Sequence, residues 1–322
     1  MTTDGRLNTA DLHSDLRNTF RFIPHVPPWA TKIGEGSAKL IRRIPGPGAG
    51  SGVDYSDISL GDGVRILVYA PATGTAVIAP CRGAALVWIH GGGLITGAAH
   101  QEHSFIVPLV RELGITVVSV DYRLAPAHPY PAAIDDCAAA WAWTTAHTDD
   151  LGIDRTRIAL GGESAGGGLA AALAQRLHDE DGTAPVAQWL FAPMLDDRTA
   201  ADHSYDPARH FLWDNRANRA GWGAYLGHPA GQDTAPPYAV AARRDDLSGL
   251  PPAWLGGGDA ELFHDEIVAY AGRLRDAGVD VTPDIVPSGP HAFERIAAGA
   301  DVSKAYLARA TDWLREQLQT GA

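Results

Sequence analysis

Leu160-Gly161-Gly162-Glu163-Ser164-Ala165-Gly166-Gly167-Gly168 is the stretch whose reading decides the fold. The apolar run Arg157-Ile158-Ala159-Leu160 leads into it, and the Ala- and Leu-rich run Leu169-Ala170-Ala171-Ala172-Leu173-Ala174 leads out. That order predicts a strand, a tight turn and a helix, with a serine at the turn. Gly162 and Gly166 bracket Ser164 in the G-x-S-x-G spacing of a nucleophile elbow. The small residues are needed because a turn this sharp forces the serine into a strained backbone conformation. The turn lifts the hydroxyl off the sheet, and the helix that follows aims its positive N-terminal end at developing negative charge. Glycine-flanked serines also occur in ordinary loops, so the five residues alone do not make a site.

Outward from this stretch, strand and helix patterns alternate. Val64–Tyr69, the continuous apolar run Ala84–Ile89 and Ile115–Val120 read as strands, and an all-apolar strand fits a sheet covered on both faces. Ser104–Val110 reads as a helix with Pro108 tolerable only near its first turn, and Ile134–Thr145 as another. After the elbow come Val186–Phe191, Ala253–Leu255, Phe263–Leu274, Val281–Val286 and Ala305–Leu318 in the same alternation. This order predicts an α/β fold with a mostly parallel sheet and helices on both faces.

Two segments stand outside the alternation. Residues 1 to about 45 carry scattered apolar positions (Leu12, Leu16, Phe20, Phe22, Ile23), then Pro24, Pro27, Pro28 and Trp29, and a short helical pattern over Gly36 to Arg43. They are too broken for a domain and read as an arm packed on something else. The glycines between Pro45 and Gly52 follow no strand, so a linker fits them better than a nucleotide loop. Between Pro193 and Pro251 no strand pattern occurs over far more than the usual connection length, with Phe211, Leu212, Trp213, Trp222, Tyr225 and Leu226 at loosely helical spacing. An insertion there can be a lid that packs with the arm, or an ordinary helical excursion whose aromatics are core.

Two further motifs bring chemistry to Ser164. His90-Gly91-Gly92-Gly93 follows the apolar strand, and three glycines leave bare N–H groups able to approach a substrate oxygen. The N–H of the residue after the nucleophile, Ala165, completes the usual hole. His90 itself reads as a strand-end histidine holding the loop rather than a metal ligand or base. Gly289-Pro290-His291-Ala292-Phe293 places a histidine on a loop after a late strand, where a general base can sit. An acid between serine and histidine is then required to orient the imidazole, and the loop after Trp254-Leu255 offers Asp259 and Glu261. Asp265 and Glu266 read as carboxylates of a helix N-terminus. His100 and His103 are three apart but lack a third ligand, so a surface pair is expected rather than a metal site. Nothing points to a cofactor.

Composition narrows the partners. With 322 residues and 45% hydrophobic content the chain can bury a large core, and 20% charged residues without long like-charge blocks fit a folded protein. A net charge of −12 argues against nucleic acid or anionic membranes as partners. Two cysteines, Cys81 and Cys137, form no disulfide framework; with no secretory h-region and no run of about 18 apolar residues, a soluble cytoplasmic protein is the expectation.

Taken together, His90-Gly91-Gly92-Gly93, Asp121-Tyr122-Arg123-Leu124-Ala125-Pro126 with Pro129 and Pro131, Gly162-Glu163-Ser164-Ala165-Gly166-Gly167 and Pro290-His291-Ala292-Phe293 resemble the hormone-sensitive lipase-like (bacterial family IV) esterases, from about Ala84 to the end of the chain. The resemblance implies an α/β-hydrolase fold with a helical cap. The cap would comprise residues 1–45 and 195–250, and the catalytic domain residues 46–194 and 251–322. It implies Ser164 as nucleophile, His291 as base, and Gly92, Gly93 and Ala165 as oxyanion donors. The family's acid stands four residues before an Asp-Glu pair, which favours Glu261 and leaves Asp259 as the alternative. Leu94 stands where an aromatic is common, Glu163 where aspartate is commoner and Ala292 where glycine is usual; Leu94, Phe211 and Trp213 are the candidates for an acyl or alcohol pocket. The implied activity is hydrolysis of short-chain carboxylic esters through an acyl-enzyme, without metal or cofactor, in a monomer or homodimer. The alternatives are a deacetylase or amidase of a specialised metabolite using the same triad, or a non-catalytic ligand-binding protein on this scaffold.

Overall fold

The computed structural model describes residues 7–23, 34–48, 50–72, 79–180 and 182–320. Pro24, Pro27, Pro28 and Trp29 lie outside them. An eight-stranded sheet runs through the described chain: β1 (Val53–Gly61), β2 (Val64–Pro71), β3 (Ala85–Ile89), β4 (Thr116–Asp121), β5 (Ile158–Glu163), β6 (Gln188–Phe191), β7 (Ala253–Gly258) and β8 (Val281–Val286). Their spatial order is β1-β2-β4-β3-β5-β6-β7-β8. β1 and β2 pair antiparallel and β2 is antiparallel to β4; all later neighbours are parallel, with Val87 beside Val118 on one side and Leu160 on the other. β3, β4 and β5 are buried at every position, which is why β3 reads as an unbroken apolar run and β4 and β5 show no alternation of apolar with charged residues.

β1 is the strand that the hydrophobic pattern does not announce. Val53-Asp54-Tyr55-Ser56-Asp57-Ile58-Ser59-Leu60-Gly61 alternates, but as an edge strand it buries only Val53 fully, and its apolar signal is diluted by Asp and Ser.

Helices cover both faces of the sheet. α1 (Gly34–Ile41) belongs to the N-terminal arm; α2 (His103–Leu113), α3 (Ala132–Ala146), α4 (Ala165–Asp179), α5 (Asn215–Leu226), α6 (His264–Asp276) and α7 (Asp301–Thr320) follow. Pro108 lies inside α2 rather than in its first turn, contrary to expectation. A 3-10 turn over Ala99–Glu102 precedes the helix. On α7, Tyr306, Ala310, Leu314 and Leu318 are buried at successive i, i+4 positions, one stripe facing the sheet. There the Trp189 indole donates to the Ala310 carbonyl at 3.0 Å.

The Asp121-Tyr122-Arg123 motif braces the strand ends. Asp121 accepts from Arg42 Nε at 2.7 Å and from the Ala99 N–H at 3.1 Å, tying the arm to the body. Tyr122 stacks on His90 with ring centroids 4.2 Å apart and donates to the His90 carbonyl at 3.1 Å. Arg123 grips Asp136 of α3 through its N–H and guanidinium at 2.7–3.1 Å.

The segment between β6 and β7 contains α5, shorter helical turns at Asp197–Ala201, His203–Tyr205 and Ala241–Arg243, and no strand among its described residues. It meets the N-terminal arm: Phe20 and Phe211 pack edge to face at 5.6 Å, and the Leu7 N–H donates to the Arg209 carbonyl. Both ends of the segment converge on Asp197, which binds Arg243 at 2.7 Å and accepts the Gly231 N–H at 2.7 Å. No helix among the described residues is long and apolar enough to cross a membrane.

Candidate active site

Ser164 sits between β5 and α4 with φ +55° and ψ −119°. A non-glycine residue there costs on the order of 1–3 kcal/mol, so the surroundings must hold it. They do so through the backbone: the Ser164 N–H donates to the Phe191 carbonyl at 2.8 Å, and the Ser164 carbonyl accepts from Met194 at 2.9 Å and Gly168 at 3.0 Å. The glycines are sterically required. A Cβ on Gly166 would overlap the Ile89 carbonyl, and one on Gly162 would overlap the Gly166 backbone. β3 and the start of α4 therefore approach more closely than any side chain permits.

Two other loops reach the same point. β7 ends in Gly256-Gly257-Gly258, and a Cβ on Gly258 would overlap Gly289 of the loop after β8. This close approach brings Glu261 and His291 together. His291 Nδ1 lies 2.6 Å from Glu261 Oε2, and His291 Nε2 lies 3.0 Å from Ser164 Oγ. A carboxylate only accepts, so Nδ1 carries the hydrogen and the Nε2 lone pair faces the serine hydroxyl. All three side chains are buried. Burial lowers the His291 pKa, but the adjacent Glu261 carboxylate, with Glu163 and Glu294 behind it, outweighs that and holds it above the ordinary imidazole value. Asp259 does not join them: it accepts the Ser288 N–H at 2.5 Å and ties the two loops together.

Across the serine lies the glycine loop. His90 braces it through Nδ1 at 2.7 Å from the Gly91 carbonyl, and Gly92 closes it by accepting from Ile95 and Thr96. Gly92 has φ +128° and Gly93 φ +59°. A Cβ on Gly93 would overlap the Trp213 ring, and one on Gly221 of α5 would press on the Gly93 carbonyl. The β6–β7 segment thus rests directly on this loop. The Ala165 N–H, the first of α4, has no carbonyl a turn before it within the helix and carries the helix's positive end.

A cavity of about 670 Å³ opens over Ser164 and His291. Trp213 and Leu212 line it, together with Gly92 and Gly93, while Leu94 and Phe211 do not. Leu94 (φ +68°) turns into the core, and Phe211 is spent on Phe20. Of the three pocket candidates only Trp213 faces the cavity, because the left-handed residue 94 and the turn at Leu212 rotate the neighbouring side chains. Sequence reasoning also missed a buried ion pair in the cavity wall. Arg295 Nη2 donates to Glu102 Oε2 at 2.7 Å, and Trp88 Nε1 donates to the same oxygen at 3.1 Å. The one signal was the charged pair Glu294-Arg295 inside the otherwise apolar turn after His291. Nor are His100 and His103 a surface pair: His100 is buried, and His103 Nδ1 lies 2.7 Å from Tyr69 Oη.

A family model described as the alpha/beta hydrolase fold matches residues 86–295. The chain belongs to that family. It is 30% identical over 268 residues to the ethyl acetate hydrolase of Pseudomonas putida, covering 82% of this chain and 83% of that one. Among solved structures it is similar to a bacterial heroin esterase, with TM-score 0.82 and 33% identity over 96% of this chain and 99% of the other. It is similar as well to an esterase of the bacterial hormone-sensitive lipase family, with TM-score 0.74 and 26% identity over 95% and 99% of the two chains. Within the α/β-hydrolase family the chain stands among the hormone-sensitive lipase-like carboxylesterases.

Proposed function

We propose that this α/β-hydrolase cleaves short-chain carboxylic esters through a covalent acyl-enzyme on Ser164. The observation that carries the reading is the unbroken relay Ser164–His291–Glu261, with both hydrogen bonds formed. In the first half-reaction His291 Nε2 takes the hydroxyl proton as Ser164 Oγ adds to the ester carbonyl. The N–H groups of Gly92, Gly93 and Ala165 receive the oxyanion at the helix N-terminus. The tetrahedral adduct collapses, the C–O bond breaks, and the alcohol leaves with the proton held by His291. Water then repeats the sequence and releases the acid. Glu261 holds the imidazole tautomer and offsets its transient charge.

A small acyl group suits a cavity narrowed by Trp213 and Leu212 and walled on one side by buried charged groups. Residues 1–45 and 195–250 serve as the cap, a reading supported by the Phe20–Phe211 contact and by Trp213 lying over Gly93.

A p-nitrophenyl ester series from acetate to dodecanoate tests both parts. Turnover should fall beyond the shortest acyl chains, and Ser164→Ala should lose at least about 10⁴-fold in kcat with an unchanged melting temperature. A fluorophosphonate should add one equivalent of label to the native chain and none to the variant. Undiminished turnover by Ser164→Ala, or labelling elsewhere, refutes the assignment.

A further inference from the structure

The cavity wall contains more carboxylate than the relay uses. Glu163, next to the nucleophile, lines the cavity, yet its carboxyl makes no hydrogen bond to any described residue. Its nearest ionic neighbour is Arg295 Nη1, at 3.7 Å from Glu163 Oε2. Arg295 is committed elsewhere: Nη2 to Glu102, and its plane over the Phe105 ring at 4.4 Å. Nη1 is buried and has no hydrogen-bond partner. Glu294, next to Arg295 in sequence, also leaves Oε1 buried and unpartnered. Among the described residues Glu102, Glu163 and Glu294 therefore share one guanidinium, and the only other cation that Glu163 and Glu294 face is His291 when protonated. Of the three, Glu102 is held by Arg295 and Trp88, Glu294 stands behind the wall, and Glu163 borders the open space.

Resting on the ester-hydrolase reading, we propose that Glu163 forms a cation subsite, so that the enzyme prefers esters carrying a protonated amine. An ammonium in the cavity supplies the donor that Glu163 lacks and the positive charge that one arginine cannot spread over three glutamates. An anionic substrate would meet surplus carboxylate instead. The protonation state of the wall agrees with this. Burial, partly offset by Arg295 and reinforced by Glu102, raises the Glu163 pKa, and burial together with Glu163 raises that of Glu294 to about 8. Near neutral pH Glu294 thus holds a proton behind Glu163, and an ammonium arriving at Glu163 should favour its release.

The test pairs a cationic ester, 2-(dimethylamino)ethyl acetate, with its uncharged isostere, 3-methylbutyl acetate. The native enzyme should show kcat/KM about tenfold or more in favour of the cation at pH 7, the scale of one charge-assisted hydrogen bond. In Glu163→Gln that ratio should fall to about one, whatever the variant's absolute rate. Calorimetry on the native protein with 3-methylbutylammonium and 3-methylbutanol needs neither turnover nor a variant. The ammonium should bind more tightly and release protons, read as a dependence of the heat on the buffer. Equal affinity for the two probes, a native ratio near one, or a ratio unchanged in Glu163→Gln overturns the subsite. Hydrolysis of 3-methylbutyl acetate without any cation preference would leave the ester-hydrolase reading standing, whereas ammonium-selective binding without hydrolysis of either ester would defeat that reading and keep the subsite.

Discussion

Glu261 and Asp259 leave the same loop two residues apart and do opposite work. Glu261 Oε2 sits 2.6 Å from His291 Nδ1, while Asp259 Oδ1 accepts the Ser288 N–H. Glu261→Gln keeps the shape but can no longer act as a pure acceptor for Nδ1–H. It should lower kcat by about 10³–10⁴-fold, the scale seen when a triad acid becomes an amide. Asp259→Asn should change kcat less than about tenfold and cost about 1 kcal/mol of stability in urea titration, the worth of one loop hydrogen bond. The reverse ranking would move the acid to Asp259.

The pH profile should carry the same pair. His291 acts as a base only when neutral, and Glu261 holds its pKa above the ordinary 6.5 despite burial. The acidic limb of kcat/KM should therefore fall above pH 6.5 in the native enzyme. In Glu261→Gln burial prevails and the limb should move to lower pH. The sign for stability is opposite to that for activity. Because the folded pKa is raised, the contribution of protonated His291 is full below the unfolded value and is lost as pH rises through the folded one. A native limb below pH 6, or no movement in the variant, contradicts the arrangement.

Trp213 lies where a Gly93 side chain would be. Gly93→Ala should displace the indole, strain a residue at φ +59°, and reduce kcat by about 10²-fold through a misplaced donor N–H. Adding Trp213→Ala should relieve the overlap and restore part of the loss. Strict additivity of the two effects on log kcat would show that the contact does not couple loop and segment.

Asp197 and Arg243 clamp the two ends of the β6–β7 segment. Their side chains are 2% and 15% exposed and joined at 2.7 Å. Arg243→Met leaves a buried carboxylate without its cation and should cost about 2–4 kcal/mol in denaturant titration. The double change Asp197→Asn/Arg243→Met should recover part of that. If the segment serves as a cap, KM for p-nitrophenyl acetate should rise more than kcat falls.

What the sequence determined by itself is whatever depends on near neighbours along the chain. The elbow was legible because Gly162 meets the Gly166 backbone within five residues, although Gly166 itself answers to the distant Ile89 carbonyl, and β3 because burial on both faces leaves an unbroken apolar run. The edge strand β1 was not legible, since a half-exposed strand dilutes its own pattern. Tertiary structure alone decided matters of side-chain direction between distant segments. By residue type Asp259 and Glu261 are equally eligible, and in the sequence only the spacing of Glu261 to Asp265-Glu266 favours it; the close passage of Gly258 past Gly289 is what turns Glu261 toward His291 and Asp259 toward Ser288. The same holds for Leu94, Phe211 and Trp213, of which the left-handed backbone at Leu94 and the arm's Phe20 leave only the tryptophan in the cavity. Glu102, Glu163 and Arg295 lie on three separate elements, and only their burial around one space makes them a wall with too few cations, because charge balance is a property of a volume and not of a stretch of chain.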